Sequence, residues 1–277
     1  MSGRSVGVLI LLLLVFPSVS FGGTFPAPYL SPEQDRTILT AESMVMDRRY
    51  READALFDRM EKNDPGSLLP SMGRLLSLMV QSLEKGAPKA RLEEEFAAEF
   101  PKNQARMKEL ERRGNLNAWD HFLLGGSLGV RGLYELNHRR YFSAFLHGMR
   151  ALSQIHKVAA LDPGIHDIAF ATGLYKYYRS VKTRYLWFLP FVGDRREEGL
   201  AEIRQALEQG HYAVPAAKIA LVMLAEREGT DAEGIRLGRK YLREYPNCKL
   251  IRDALETMEQ RNPIRAGRAQ SVAASRF

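Results

Sequence analysis

The chain has 277 residues, 45% hydrophobic and 26% charged, with one cysteine and 13 prolines. That length holds one large or two ordinary domains, and the composition excludes a chain disordered throughout, a collagen-like repeat, an internal disulfide and a multi-cysteine zinc site. The net charge of +7 includes Arg4 near the N-terminus and Arg261, Arg265, Arg268 and Arg276 in an acid-free tail, leaving only +2 on the body between them, with no clustered basic element to predict a nucleic-acid partner.

The first element is a leader. Arg4 supplies a positive charge, Val6 to Phe16 is an unbroken small or apolar run, and Pro17 ends it. Ser20 and Gly22 then stand where a signal peptidase needs small residues, so residues 1–22 read as a secretory signal peptide cut after Gly22 or Ser20. An eleven-residue helix reaches roughly 16 Å, against a hydrocarbon core of roughly 30 Å, which argues for cleavage over anchoring. No cysteine near the cut could carry a lipid, and no later stretch reaches transmembrane length. The expectation is an exported protein, periplasmic or envelope-associated, without a transmembrane span. Cys248 is then either buried or paired with another chain, and burial is the plainer state.

Residues 23–31 form a Pro/Gly linker, and Ser31-Pro32-Glu33-Gln34 opens a helix with Ser31 as its cap. From there the period is 3.6 throughout. The pattern predicts helices at 32–47, 51–63, 67–84, 88–99, 102–113, 116–136, 141–161, 165–183, 195–209, 214–228, 231–244 and 248–260. Breaks fall at Asp64-Pro65-Gly66, Gly86, Pro101, Gly114, Asp162-Pro163-Gly164, Gly210, Gly229 and Pro246. Residues 261–277 read as a solvated basic tail. Consecutive helices with short loops imply antiparallel pairs, in a bundle or a solenoid.

Internal spacing selects the solenoid. Ala41 lies twelve residues before Ala53, and Ala53 twelve before Pro65, with Tyr50 and Phe57 between. A second unit carries Gly132, Tyr141 and Ala144. A third carries Gly173 and, beyond an insertion, Gly199, Ile203 and Ala206. A fourth runs from Pro215 to Pro246 with Gly229 at its inner turn. This series resembles the tetratricopeptide-repeat (TPR) superfamily over roughly residues 32–260, with small residues at the helix contacts and aromatics in the next layer. The stretch Pro190 to Leu200 is similar to a feature of secreted bacterial TPR-like proteins and to a segment of the inclusion-body-clearance family. The resemblance implies an all-α, right-handed solenoid of degenerate TPR-like helix pairs. It also implies a concave groove lined by the first helix of each pair. At matching positions the groove residues are Asp35, Ile38, Glu42 and Val45; Gly129, Leu133, Leu136 and Asn137; and Asp167, Phe170, Leu174, Tyr177 and Tyr178.

Chemistry-bearing patterns are weak. Gly125, Gly129 and Gly132 fit no phosphate loop, lack a preceding strand, and read as a flat stripe for helix packing. The six histidines form no H-x-x-x-H pair, so no metal site or cofactor is expected. Asp120-His121 has no nucleophile-elbow serine to serve, and the carboxylates read as exposed first-turn acids; no enzyme is expected. The unusual feature is aromatic: Phe170, Tyr175, Tyr177, Tyr178, Tyr185, Trp187, Phe188 and Phe191 are eight of 26 aromatics within 22 residues. Tyr175, Tyr177 and Tyr178 cannot share one narrow buried stripe. The loop 185–195 either tucks over the repeat or docks on a partner, with Asp194 as a helix cap. The reading is a non-enzymatic protein-interaction scaffold of the cell envelope, whose partner protein binds the groove. The alternative is a binding module for an apolar or glycan ligand through residues 170–191, with Trp187 and the tyrosines stacking on it.

Overall fold

The computed structural model describes residues 29–183 and 193–274. Among them are eleven α-helices and no strand. The leader, the linker up to Pro28, and the loop residues 184–192 with Trp187 lie outside the described residues.

Helix α1 (Pro32–Met46) starts where its cap dictates. Ser31 Oγ accepts from the Gln34 backbone N–H, and Gln34 Oε1 accepts from the Ser31 N–H, which satisfies two donors at the helix start. Next come α2 (Tyr50–Asn63), α3 (Leu69–Leu83) and α4 (Lys89–Arg113), then α5 (Ala118–Asn137), α6 (Tyr141–Leu161) and α7 (Ile168–Thr183). The chain continues with α8 (Arg196–Gln209), α9 (Val214–Glu228), α10 (Asp231–Tyr241) and α11 (Lys249–Ala274). Asn117 and Asp120 repeat the reciprocal cap at the start of α5, which occupies the Asp120 carboxylate structurally.

Each odd helix up to α9 packs against the even helix that follows it. The odd helices also meet one another: α1 touches α3, α3 touches α5, α5 touches α7, and α9 returns to α1. They run parallel, because their N-terminal ends are joined to one another and so are their C-terminal ends. At one end the Asp35 carboxylate of α1 accepts from Tyr212 Oη at 2.7 Å, beside α9. There too the Asp167 carboxylate, before α7, accepts from the backbone N–H groups of His211 and Ala213. At the other end Asn137 of α5 donates to the Ser82 carbonyl of α3, and Tyr177 of α7 donates to Glu228 of α9. The larger core joins α1–α4 to α9–α11, with Val45, Phe57, Leu75, Phe96, Val222 and Ile251 buried in it.

Three segments depart from the sequence pattern. Pro101 does not divide α4. Its ring removes one backbone hydrogen bond, but Leu92 and Phe96 before it and Asn103, Met107 and Leu110 after it are all buried, which holds both halves on one axis. Asn103 also donates to Ser71 and Ser127. Helix α11 does not stop at residue 260 but runs to Ala274, replacing the expected solvated tail. Arg261 bridges Asp231 at 3.1 Å and donates to the Glu226 carbonyl, and the Ala/Arg/Gln-rich residues that follow are good helix formers. Asp194 lies one residue outside the cap of α8, which is Arg195, and accepts from the Arg196 N–H instead.

Helix pairs approach closest where glycines face backbone. A Cβ on Gly199 would stand 2.6 Å from the Gly173 carbonyl oxygen and 2.9 Å from the Tyr177 nitrogen. The contact is backbone against backbone, so no side chain can swing aside. Gly199→Ala is therefore expected to destabilise the protein by about 1–3 kcal/mol despite alanine's better helix propensity, measured as a lower urea midpoint at unchanged slope.

Candidate functional site: a cavity inside the helix ring

The parallel odd helices enclose a cavity of about 710 Å³. One stripe of each supplies the wall, at spacings of three and four residues: Ile38, Glu42 and Met46 on α1; Met72, Leu76, Met79 and Leu83 on α3; Phe122, Gly126, Gly129, Leu133 and Leu136 on α5; Phe170, Leu174 and Tyr178 on α7; Ala216, Ala220, Met223 and Arg227 on α9. Ala213 to Arg227 spans about 21 Å along the helix axis, which sets the length of the wall. Four methionines in the wall can reshape to fill against an irregular ligand.

The two ends differ. At the N-terminal end Trp119 packs on Phe122 at 5.3 Å and on Tyr212 at 5.5 Å between ring centroids, and Tyr29 stacks on Trp119 as well. Trp119 and Tyr212 are buried, so this end is plugged. At the C-terminal end the lining residues Asn137, Arg139, Tyr141 and Arg227 are exposed, which makes it the mouth. Arg139 and Arg227 are the basic residues of the wall, and Arg227 lies 5.8 Å from the ring centroid of Tyr178.

The polar groups near the plug are acidic. Asp167 lines the cavity yet is only 3% exposed, its Oδ1 engaged by two backbone N–H groups. Glu42 stands one turn deeper along α1 than Met46, and its Oε2 is buried without a hydrogen-bond partner. Burial raises the Glu42 carboxyl well above the usual carboxylate range, and the charge on Asp167 pushes the same way. Tyr212 is likewise raised, by burial and then by its hydrogen bond to Asp35.

Ten of the groove residues named from the sequence line this cavity: Ile38, Glu42, Gly129, Leu133, Leu136, Asn137, Asp167, Phe170, Leu174 and Tyr178. Asp35 does not line it; it stands behind the wall, accepting from Tyr212 and His211. Val45 is buried in the core. Tyr177 is 0% exposed and donates to Glu228 at 2.5 Å, so it faces α8 and α9. The three tyrosines of α7 point three ways, with Tyr175 donating to the Met149 sulfur on α6. Gly129 also departs from the packing stripe: Gly125 meets Ile155 and Gly132 meets the Ala144 carbonyl, but nothing stands within 4 Å of a Cβ on Gly129.

The contributions of α3 and α9 and the aromatic plug were not read from the sequence. A signal existed in α9, which carries apolar residues on every side and so had to be enclosed on every side. Among the described residues no group of His, Cys, Asp and Glu is arranged to hold a metal, and no helix is long and apolar enough to cross a membrane. Cys248 is buried, which pushes its thiol up to about 11.

Two outcomes follow from these placements. Tyr177→Ala should cost about 3–5 kcal/mol of folding stability by chemical denaturation, whereas Phe170→Ala, half-buried against the cavity, should cost clearly less. A carboxyl whose folded pKa is raised binds its proton more tightly in the folded state. Its contribution to stability is full below the unfolded carboxylate range and is lost as pH rises towards the folded value. The groups facing Glu42 are Asp167, Tyr212 and Tyr245, none of them cationic. Thermal melts should therefore show Glu42→Gln gaining on the wild type as pH rises from 4 to 8.

No family model matches this chain, and neither the curated proteins nor the solved structures contain a significant match to it.

Proposed function

We propose that the protein binds an elongated apolar molecule within the helix ring, as a carrier or receptor in the cell envelope. The observation that carries this reading is the cavity itself: about 710 Å³, walled by one apolar stripe from each of five helices and opening at one end. Ligand pockets typically measure about 300–1,000 Å³, with apolar walls and a few convergent polar groups. The signal-peptide pattern of residues 1–22 supports the envelope location. The alternation of wall helix and outer helix supports the TPR-like solenoid, here with its first helix brought back against α9. That return leaves little open groove for an extended peptide, which weighs against a scaffold that works through the concave face.

One observation favours the scaffold reading on a different surface. Phe142, Phe145, Leu146 and Met149 form an exposed apolar stripe on α6, with Phe142 77% exposed. A partner protein would then bind the outside of the ring.

Gly129 separates the two readings. Nothing stands within 4 Å of a Cβ there, so Gly129→Phe directs its ring into the cavity, and removing a helical glycine does not weaken α5. The purified wild type should bind the apolar fluorophore N-phenylnaphthylamine. Gly129→Phe should weaken that binding at least tenfold with no loss of thermal stability. Equal binding by a folded Gly129→Phe would place the fluorophore elsewhere and remove the support for a cavity ligand.

A further inference from the structure

Resting on the cavity as the binding site, we infer that its ligand is an apolar chain bearing a protonated amine, seated between Glu42 and Asp167 at the plugged end.

The argument starts from unmet polar capacity. A buried polar group without a partner is costly, and native interiors hold few of them. Glu42 Oε2 is such a group, in the wall of a cavity large enough to admit a ligand. Its neighbours explain why no protein group serves it. Asp167 is itself an acceptor, with Oδ1 already engaged by the N–H groups of His211 and Ala213. The Tyr212 hydroxyl donates away from the cavity, to Asp35. The basic residues of the described wall, Arg139 and Arg227, stand at the mouth.

Charge then decides the class of ligand. Two carboxyl groups facing one apolar space cannot both ionise cheaply unless a cation accompanies them. An ammonium group has three donors and one positive charge, enough to engage both acids together. The rings of Phe122 and Phe170 line the same end, and a cation presented to their faces would be attracted through the ring quadrupole. A carboxylate or phosphate headgroup would instead meet Asp167, and a neutral hydroxyl would leave that charge uncompensated. When the amine binds, Glu42 gives up its proton to solvent, so affinity should rise with pH until Glu42 is ionised in the free protein. Asp35, Asp167, Tyr212 and Tyr245 are the other titratable groups around it.

The test uses dodecylamine, dodecanol and dodecanoate, which share a chain length, to displace N-phenylnaphthylamine from the full-length protein and from Glu42→Gln. The expected result has two parts. Dodecylamine binds the wild type at least about tenfold more tightly than either other ligand, increasingly so from pH 5 to 8. In Glu42→Gln that preference falls about tenfold while dodecanol affinity stays within about twofold, which shows the cavity to be intact. Dodecanol or dodecanoate binding as tightly as the amine, or an amine preference that survives Glu42→Gln, overturns this inference and leaves the apolar site standing. No displacement by any of the three overturns the cavity reading as well.

Discussion

The hydrogen bonds from Tyr212 and His211 to Asp35 tie the first helix to the start of the ninth, across 177 and 176 residues of chain. Everything in the cavity depends on that closure. The larger core, which packs Val45 and Met46 of α1 with Ile219 and Val222 of α9 and Ile251 of α11, completes the same closure and keeps the stripe of Ile38, Glu42 and Met46 from facing water. With it, five parallel helices surround one space. The Asp35 acceptor is spent on this joint, and so is the donor of Tyr212, which leaves Glu42 and Asp167 as the acidic groups turned to the interior.

Close packing between hairpin partners makes the ring possible. Gly173 against Gly199 brings α7 close to α8, and Gly132 against Ala144 brings α5 close to α6, so that these outer helices brace inner ones. The inner helices are then held from behind and need not fill the space between them. This explains how a cavity persists in a protein whose interior is otherwise close-packed. Most of the wall residues are half-buried, although Ile38, Met46 and Met79 are buried, which is what a space lined on one side and open at its mouth produces.

The ends divide the chemistry. The plug is aromatic and acidic, and the mouth is basic and exposed. A ligand entering chain-last would present a polar head to Arg139 and Arg227. One entering head-first would bring its polar group to Glu42. The buried, unpartnered oxygen of Glu42 favours the second orientation, since the arginines at the mouth already have water. The apolar stripe on α6 begins beside Tyr141, itself a residue of the mouth, so the outer surface and the cavity are adjacent.

The sequence by itself determined the all-helical class, most helix boundaries and the cap at Ser31, because those follow from periodicity and local hydrogen bonding. It also named residues of α1, α5 and α7 that line the cavity, Ile38, Leu133 and Phe170 among them. It mistook Pro101 for a stop and residues 261–274 for tail, because burial on α3 and the anchoring of Arg261 are long-range contacts that local propensity does not see. Tyr177 and Tyr178 looked equivalent in sequence, and only the position of α8 and α9 made one core and the other wall. Above all, the tertiary structure alone decided that the inner faces surround one space, plugged at one end and open at the other. An apolar stripe that packs against a neighbour and one that lines a cavity have the same period, and the difference lies in the long-range contacts that bring α1 to α9, that between Asp35 and Tyr212 among them.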